Sequence, residues 1–175
     1  MKKLLFIGLL SCLAFAFTAC EEDDEATVKD VTLTYAVNMP LDNTYAAYVQ
    51  KFDSVAVCKA FGGLSYDEFW EYLDEGEVIA YTAIAPDGTI DDTAPTANGN
   101  GHWFDATGAV CTWGTTAAVY SEMLDEQFHF NLGQYPDHTA VGNTFTIKQG
   151  FIYTKGSKSA LATLVFNITI TAATK

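Results

Sequence analysis

The sequence contains no arginine, and its nine lysines are outnumbered by 22 aspartates and glutamates. The formal net charge is −13 at pH 7. Because proteins bind a phosphate backbone through clustered basic side chains, we expect no nucleic-acid partner. The missing arginine also argues against a dedicated phosphate or carboxylate clamp, for which the bidentate guanidinium is the usual device.

Cysteine is scarce, with four residues in 175. Cys12 and Cys20 lie in the N-terminal segment, so only Cys58 and Cys111 could form a disulfide within the remaining chain. The alternative is two buried thiols that act as small apolar side chains. The helical spacing of Val55, Cys58 and Phe61 favours that alternative.

Ligand sets for metals and signatures of catalysis are also missing. The three histidines, at positions 102, 129 and 138, have no zinc-ligand spacing to one another or to the cysteines. Asp87, Asp91 and Asp92 lack the regular spacing and the terminal glutamate of a calcium loop. Serine, cysteine and lysine nucleophile motifs are absent, while paired carboxylates of a hydrolase cannot be identified among so many acids. We expect no metal, no cofactor and no enzymatic activity.

The N-terminus contains the longest apolar run, residues 4–17, which is shorter than the ~20 residues of a membrane-spanning helix. Preceded by Lys2 and Lys3 and followed by small residues and Cys20, it has the parts of a secretory signal peptide with a lipobox. We predict cleavage of residues 1–19. Cys20 would then carry a diacylglyceryl thioether and an acylated, palmitate-type amine, and several chains make a stable membrane anchor.

Five consecutive acids, residues 21–25, follow Cys20. Like charges repel one another and stay hydrated, so residues 20–29 are predicted to form a tether and residues 30–175 a single domain. The acidic run resembles the surface-export signal of Bacteroidota lipoproteins. That resemblance implies an outer-membrane protein facing the cell exterior, with the periplasmic face as the alternative.

Short alternating apolar runs, separated by Gly, Pro and Asp turns, predict about eight strands. The fold class is therefore mainly β, an antiparallel β-sandwich with a small helical pair near its N-terminal side. The runs lie at residues 28–37, 45–52, 78–84, 117–121, 128–132, 145–151 and 162–170, beside a hairpin around residues 105–108.

Two short helices are predicted between the second and third runs. Asp53 or Ser54 can cap the first helix. Ser65 and Glu68 have the spacing of a capping box for the second helix, and Gly76 is suited to end it. The apolar face of this second helix consists of Tyr66, Phe69, Trp70 and Leu73, and we expect Trp70 to be a core anchor.

The stretch 98–114 contains two of the three tryptophans and four glycines. Sugars present apolar C–H faces and hydroxyl rims, which aromatic rings and planar amides match without positive charge. We predict a glycan-binding site in which Trp103, Trp113 and Tyr135 stack on sugar rings. The predicted hydrogen-bonding residues are Asp105, Asn98, Asn131 and Gln134.

The alternative for these tryptophans is a place in the core. Ala109, Cys111 and Trp113 would share one face of a regular strand. If Cys111 is buried and that strand continues to Trp113, both side chains belong to the core.

Several blocks of the sequence resemble the Bacteroidota family called domain of unknown function 4859, over a match from about Phe52 to the C-terminus. The blocks are Asp87-Gly88, Thr96-Ala97-Asn98-Gly99, Trp103-Phe104-Asp105, Gly108, Trp113-Gly114, Tyr120-Ser121-Glu122, Gly133-Gln134-Tyr135-Pro136, Val141-Gly142, 145–149 and 166–169. The resemblance implies a secreted protein or lipoprotein, sometimes found beside carbohydrate-active modules, with no established activity.

Two functional hypotheses follow. The first is a non-catalytic surface lipoprotein that binds polysaccharide. The second is a structural or adhesion protein that contacts an envelope protein partner, for which the run 160–170 could offer a strand edge. Thr163, Asn167 and Thr169 argue against an edge, because a polar face is typical of an ordinary outer strand.

Overall fold

The computed structural model describes residues 27–91, 96–97, 101–123 and 127–173, with residues 96 and 97 described by their backbone alone. The elements in chain order are β1 (Val31–Pro40), β2 (Tyr48–Lys51), α1 (Ser54–Ala60), α2 (Tyr66–Glu75), β3 (Ile79–Ile84), β4 (Ile90–Asp91), β5 (Thr96–Ala97), β6 (Gly101–Asp105), β7 (Val110–Cys111), β8 (Ala117–Met123), β9 (His129–Gln134), β10 (Thr144–Lys155) and β11 (Lys158–Thr171).

The strands form two sheets. The first sheet has the order β1-β11-β10-β3-β4, and the second has the order β2-β9-β8-β6-β5, with β7 also paired to β6. The predicted mainly β sandwich is confirmed. Eight of the described strands have four or more residues, whereas β4, β5 and β7 have two each and are too short to produce a visible alternation.

One strand pair departs from the antiparallel pattern. β1 runs parallel to β11, with Val31 opposite Ala162 and Pro40 opposite Thr171. Alternation fixes which residues face the core and carries no information on strand direction. This pairing also places β11 between β1 and β10, so the prediction that residues 160–170 offer a free edge for strand addition was wrong.

Phenylalanines dominate the core between the sheets. Phe130 lies 5.4 Å from Phe166 and 5.6 Å from Phe52, measured between ring centroids. Aromatic pairs at such distances add stabilisation of about 0.5–1.5 kcal/mol each beyond the area that they bury. The inner face of the second sheet is therefore packed against phenylalanine rings of the core.

A small polar cluster also joins the sheets. Gln149 of β10 accepts hydrogen bonds through Oε1 from the Tyr81 hydroxyl, at 2.5 Å, and from the Ser121 hydroxyl of β8. Burial raises the pKa of Tyr81. These contacts orient β8 against β10 and so fix which side of β8 faces outward.

Both helices begin as predicted. The Asp53 carboxylate accepts from the backbone N–H of Ala56 at 2.9 Å and caps α1. Ser65 and Glu68 form the reciprocal capping box of α2, and Gly76 ends α2 with a φ of 68°. The caps could be predicted from the sequence because each capping residue lies within four positions of the residue to which it bonds.

The predicted apolar faces of the helices are buried only in part, and Tyr66 of α2 is 50% exposed. Phe69 is fully buried and packs against Phe151 with ring centroids 5.2 Å apart. Trp70 is half-buried against Phe128, so the expected core anchor lies at the border of the core. In α1, Cys58 is buried, whereas Val55 is 62% exposed.

The two cysteines within the described residues are free thiols. Cys58 is buried and Cys111 is half-buried. Burial raises the pKa of the Cys58 thiol to about 11. The expected alternative to the disulfide, two buried thiols, therefore holds for Cys58, which packs in the core as a small apolar side chain, and only in part for Cys111.

Contacts with the sandwich begin two residues before the predicted domain boundary. Val28 forms a β-bridge with Phe61, and the Lys29 N–H donates to the Ala60 carbonyl at 2.9 Å. The predicted signal peptide, Cys20 and the acidic run 21–25 lie outside the described residues. Among the helices that the structure describes, none is long and apolar enough to cross a membrane.

Candidate functional site

The outer face of the second sheet carries Trp103 and Tyr120. Cross-strand register aligns Trp103 with Cys111 on one side and with Tyr120 on the other. Tyr120 is in turn opposite Gly133. Their chain neighbours His102, Phe104 and Ser121 are buried in the sandwich. Because side chains alternate along a strand, Trp103 and Tyr120 project from the opposite, outer face.

Tyr120 is positioned by a glycine on the neighbouring strand. A Cβ at Gly133 would lie 2.0 Å from Cε1 of Tyr120. The ring of Tyr120 therefore occupies the space above β9 where a side chain would otherwise stand. From there its hydroxyl donates to the Tyr45 carbonyl at 3.1 Å, linking β8 to the loop 41–47.

Hydrogen bonds from Asp42 organise this loop. The Asp42 carboxylate accepts from the backbone N–H of Ala46 at 2.9 Å. It also accepts from the N–H and hydroxyl of Thr44, both at 2.8 Å. These bonds, with that from Ala46 the largest contribution, lower the pKa of Asp42. The loop is thus preorganised around a charged acceptor.

Two residues of this region have left-handed backbone conformations without being glycine. Tyr45 has a φ of 59° and Asp137 a φ of 62°, and they are the two such residues in the part of the chain described. The Asn43 side chain holds the turn at Asp137 through hydrogen bonds of 3.3 and 3.5 Å. Strained backbone of this kind concentrates at functional sites and persists where its surroundings over-determine it.

The side chains at this face form an aromatic patch, which we define as Tyr45, Trp103, Trp113, Tyr120 and Tyr135. Tyr135 is its centre. Its ring centroid lies 5.6 Å from Trp103 and 5.8 Å from Trp113. Tyr45 approaches the same ring to 5.9 Å. The three tryptophan and tyrosine residues predicted to stack on sugars are therefore brought together.

His138 supports the central ring from the side of the 135–138 turn. Its imidazole stacks on Tyr135 with centroids 4.4 Å apart and an interplanar angle of 28°. The Nδ1 atom of His138 lies 2.6 Å from the Ala117 carbonyl. Tyr135 is thus held in place by an exposed imidazole whose own position is fixed by β8.

Trp113 and Tyr45 are the open parts of the patch, with 64% and 42% of their surfaces exposed. β7 ends at Cys111, so Trp113 lies beyond the regular strand. Neither condition of the core alternative is met for Trp113, because Cys111 is also only half-buried. Trp103 is half-buried among the other rings.

Asp105 closes the predicted hairpin turn. Its Oδ1 accepts from the Thr107 N–H at 2.8 Å, the Thr107 hydroxyl at 2.6 Å and the Ala109 N–H at 3.1 Å. Gly108 has a φ of 83°, and a Cβ there would lie 2.1 Å from the Thr146 carbonyl oxygen. The carboxylate predicted to bind sugar hydroxyls therefore has a local role in the turn that follows Trp103.

The side-chain amides predicted to bind sugar hydroxyls do not all lie at this face. Asn131 is half-buried on the outer face, opposite Glu122 of β8 and Val49 of β2. It lies two residues from Gly133 and borders the aromatic patch. Asn98 lies outside the described residues.

Gln134 does not belong to this face. It is 1% exposed, its Nε2 donates to the Pro40 carbonyl at 2.7 Å, and its Oε1 accepts from the Thr139 hydroxyl at 2.7 Å. The alternation of β9 places Gln134 on the inner side with Phe130 and Leu132. Its prediction as a sugar-binding residue is therefore corrected to a structural role beneath the loop 41–47.

A cleft of about 350 Å³ lies beside the same loop. Its walls include Met39, Leu41, Tyr48 and Gln134, and the amide of Gln134 is engaged by the backbone as described. The cleft thus adds space beside the loop that carries Tyr45.

Carboxylates surround the aromatic patch. Glu122 follows Tyr120 by two residues on the same strand face, and Asp42 and Asp137 lie in the two segments that hold Tyr45. Burial raises the pKa of Tyr120, and the negative charges of Glu122 and Asp42 raise it further. The described residues contain no group of His, Cys, Asp and Glu side chains that could hold a metal ion. This face can offer aromatic planes and oxygen acceptors to a ligand.

Three contributors to this site were not predicted from the sequence, namely Tyr45, Tyr120 and Glu122. For Tyr120 and Glu122 a signal existed, because extending the alternation of β8 from buried Val119 and Ser121 places them outward. Tyr45 carried no such signal, since its position depends on a hydrogen bond to a residue 75 positions away.

A protein-family profile described as Domain of unknown function (DUF4859) matches residues 44–159. The chain belongs to this family. The matched segment contains every member of the aromatic patch, from Tyr45 to Tyr135, whereas β1 and most of β11 lie outside it. The match begins and ends earlier in the chain than the resemblance predicted. Neither a curated protein nor a solved structure matches the chain.

Proposed function

We propose that this member of the DUF4859 family is a non-catalytic lipoprotein of the outer membrane, facing the cell exterior, that binds glycan for polysaccharide capture. The observation that supports the proposal is the aromatic patch. Trp113 and Tyr45 expose 64% and 42% of their surfaces beside the half-buried Tyr135. Removing such rings from water is favourable, so leaving them exposed on a fixed scaffold is typical of a binding face.

The chemistry of the patch suits a sugar. A pyranose ring presents C–H groups that pack against an aromatic plane, and its hydroxyl groups need acceptors and donors at the rim. Asn131 and Glu122 are cross-strand neighbours at the border of the patch and provide such groups. The ring centroids of Trp113 and Tyr45 lie 5.8 and 5.9 Å from that of Tyr135, so a short oligosaccharide would contact more than one ring.

Hydrogen bonds hold the loop that carries Tyr45 in the absence of a ligand. The Tyr120 hydroxyl bond to Tyr45, the bonds around Asp42 and the Asn43–Asp137 pair fix the loop that carries Tyr45. Preorganisation limits the conformational entropy that binding would otherwise cost. This is the property expected of a binding module whose rings do not rearrange around the ligand.

The proposed location at the outer membrane is inferred from the N-terminal sequence. The lipobox ending at Cys20 would anchor the protein, and the acidic run after it would direct the domain to the cell surface. The alternative is a structural or adhesion protein that acts through protein contacts, and β11 offers such a partner no free edge because it pairs on both sides. Surface display would place the aromatic patch where extracellular polysaccharide is found.

The test is binding of the soluble Cys20→Ser chain to a glycan array and to polysaccharide gels. Trp113→Ala should weaken binding at least about tenfold, as loss of a central aromatic contact commonly does, with little change in thermal stability. The matched control is Tyr66→Ala, which removes another exposed ring, 50% exposed and carried by α2. Tyr66→Ala should bind as the parent chain does.

Two results would contradict the proposal. One is a folded parent chain that binds no glycan on the array or in the gels. The other is a folded Trp113→Ala variant whose affinity equals that of the parent chain, because the ligand would then lie elsewhere.

A further inference from the structure

We infer that the aromatic patch selects uncharged glycans and disfavours those that carry carboxylate or sulfate groups. The inference rests on the proposed glycan binding and adds the class of ligand. It follows from the charged side chains around the patch, most of which are negative.

Acids approach the patch from several elements. Glu122 lies two residues from Tyr120 on the same face of β8, a separation of about 7 Å along a strand. Asp42 and Asp137 are fixed beside Tyr45 and Tyr135 by their hydrogen bonds. Asp105 ends the strand that carries Trp103. A ligand on the patch would therefore be near carboxylates on more than one side.

Two of these carboxylates also act on the hydroxyl group of Tyr120 within the patch. Burial makes the largest contribution to the raised pKa of the Tyr120 hydroxyl, and the negative charges of Glu122 and Asp42 raise it further. They therefore disfavour a phenolate at this position. A carboxylate or sulfate on a bound sugar would experience repulsion of the same sign.

One basic side chain, His138, stacks on Tyr135, whereas Lys51, Lys148 and Lys155 lie farther from the centre of the patch. Lys51 is the one described lysine on a strand of the second sheet, and it pairs with His129. Along β9, His129 is two residues from Asn131 and four residues from Gly133, or about 7 Å and 13 Å. Lys51 therefore lies near the Asn131 border of the patch but farther from Tyr120 than the Debye length of about 8 Å at physiological ionic strength. Lys148 and Lys155 are bonded to Pro86 and Tyr72, on other parts of the molecule.

The inference contrasts with the way anionic polysaccharides are commonly held. Carboxylate and sulfate groups are recognised best by arginine forks or by lysine, and this chain has no arginine. Neutral hydroxyl groups have no such requirement, since Asn131 and the carboxylates can hydrogen-bond to them directly.

The experiment compares neutral oligosaccharides with uronate-containing and sulfated oligosaccharides of equal length, using the soluble Cys20→Ser chain. Affinities are measured at low and high salt, at pH 8, where histidine is ordinarily neutral. A chelator is present so that divalent cations cannot bridge two carboxylates. We expect at least about a tenfold preference for the neutral glycan at low salt, and a smaller preference at high salt.

Glu122→Gln isolates the electrostatic contribution, because it removes the charge and keeps the shape of the side chain. At low salt it should reduce the preference for the neutral glycan over the anionic glycans by about threefold to fivefold. The control is Glu71→Gln on α2, which makes the same change of net charge at an exposed position on another element. It should alter neither affinity.

The outcomes separate the two proposals. If the parent chain binds the anionic glycans as tightly as neutral ones, or if Glu122→Gln leaves the preference unchanged, the selectivity is overturned and glycan binding still stands. Absence of binding to any glycan would overturn both.

Discussion

The ring of Tyr120 lies directly over Gly133. A Cβ on Gly133 would be only 2.0 Å from Cε1 of this ring. From this position the Tyr120 hydroxyl reaches across β9 to the Tyr45 carbonyl. A single glycine thus permits a contact that couples the second sheet to the loop 41–47. The exposed ring of Tyr45 depends on that coupling.

Gly133→Ala should therefore displace Tyr120 and loosen the loop. We expect a loss of about 1–3 kcal/mol in the free energy of unfolding, the usual cost of overpacking, measured by urea denaturation. In a Tyr120→Ala background the ring is absent, so the same substitution should cost much less. Equal costs in both backgrounds would contradict the proposed contact.

Asp105 should matter for the turn more than for the ligand. Asp105→Ala removes the acceptor of three hydrogen bonds and should reduce the free energy of unfolding by about 1–2 kcal/mol, whereas Asp105→Asn keeps an oxygen and should cost less. Asp87→Ala is the control, because Asp87 accepts two similar bonds from Thr89 in a turn of the first sheet. Glycan affinity of folded Asp105→Asn should match the parent chain, and a large loss would restore Asp105 as a binding residue.

The buried thiol of Cys58 should make stability depend on alkaline pH. Burial raises its pKa to about 11 in the folded protein, from an ordinary value of 9.0. The folded state therefore holds the proton more tightly, and the resulting stabilisation is present below pH 9 and lost as pH rises towards 11. Measured with a reductant, the parent chain should lose about 1–2 kcal/mol more than Cys58→Ala between pH 8 and 11. Parallel pH profiles of the two proteins would contradict this account.

The anchor can be separated from surface display by two substitutions. Cys20→Ser should abolish acylation and move the protein from the membrane fraction to the soluble fraction, because it removes the thiol that would carry the lipid. Replacing the five acids of residues 21–25 by alanine should preserve acylation and abolish protease accessibility on whole cells. Equal accessibility of the acid-free variant and the parent protein would overturn the outer-face assignment and leave the lipid anchor in place.

Local patterns in the sequence were sufficient for the elements that depend on near neighbours. The capping box of Ser65 and Glu68, the left-handed Gly76 and the Asp105–Gly108 turn all involve residues within a few positions of one another. Strand alternation likewise predicted Asn131 on the outer face. Extended by three residues, the same alternation would have placed Gln134 inside.

Features that depend on distant residues could not be predicted in this way. The parallel pairing of β1 with β11 joins residues about 130 positions apart, and the exposure of Trp113 follows from the end of β7 two residues earlier. Tyr45 is placed by contacts to residues 75 and 90 positions away. Such positions require the tertiary structure, because nothing in their local sequence distinguishes them from ordinary loop residues.

The most direct test of the aromatic patch as the glycan site is a titration of the isotope-labelled Cys20→Ser chain, followed by the indole N–H signals of its three tryptophans. Trp113 is exposed in the patch and Trp103 is half-buried there, whereas Trp70 packs on α2 against Phe128. We predict that a bound oligosaccharide shifts the signal of Trp113, and to a smaller extent that of Trp103, while Trp70 stays unchanged. Saturable binding that shifts Trp70 alone, or none of the three signals, would contradict the assignment.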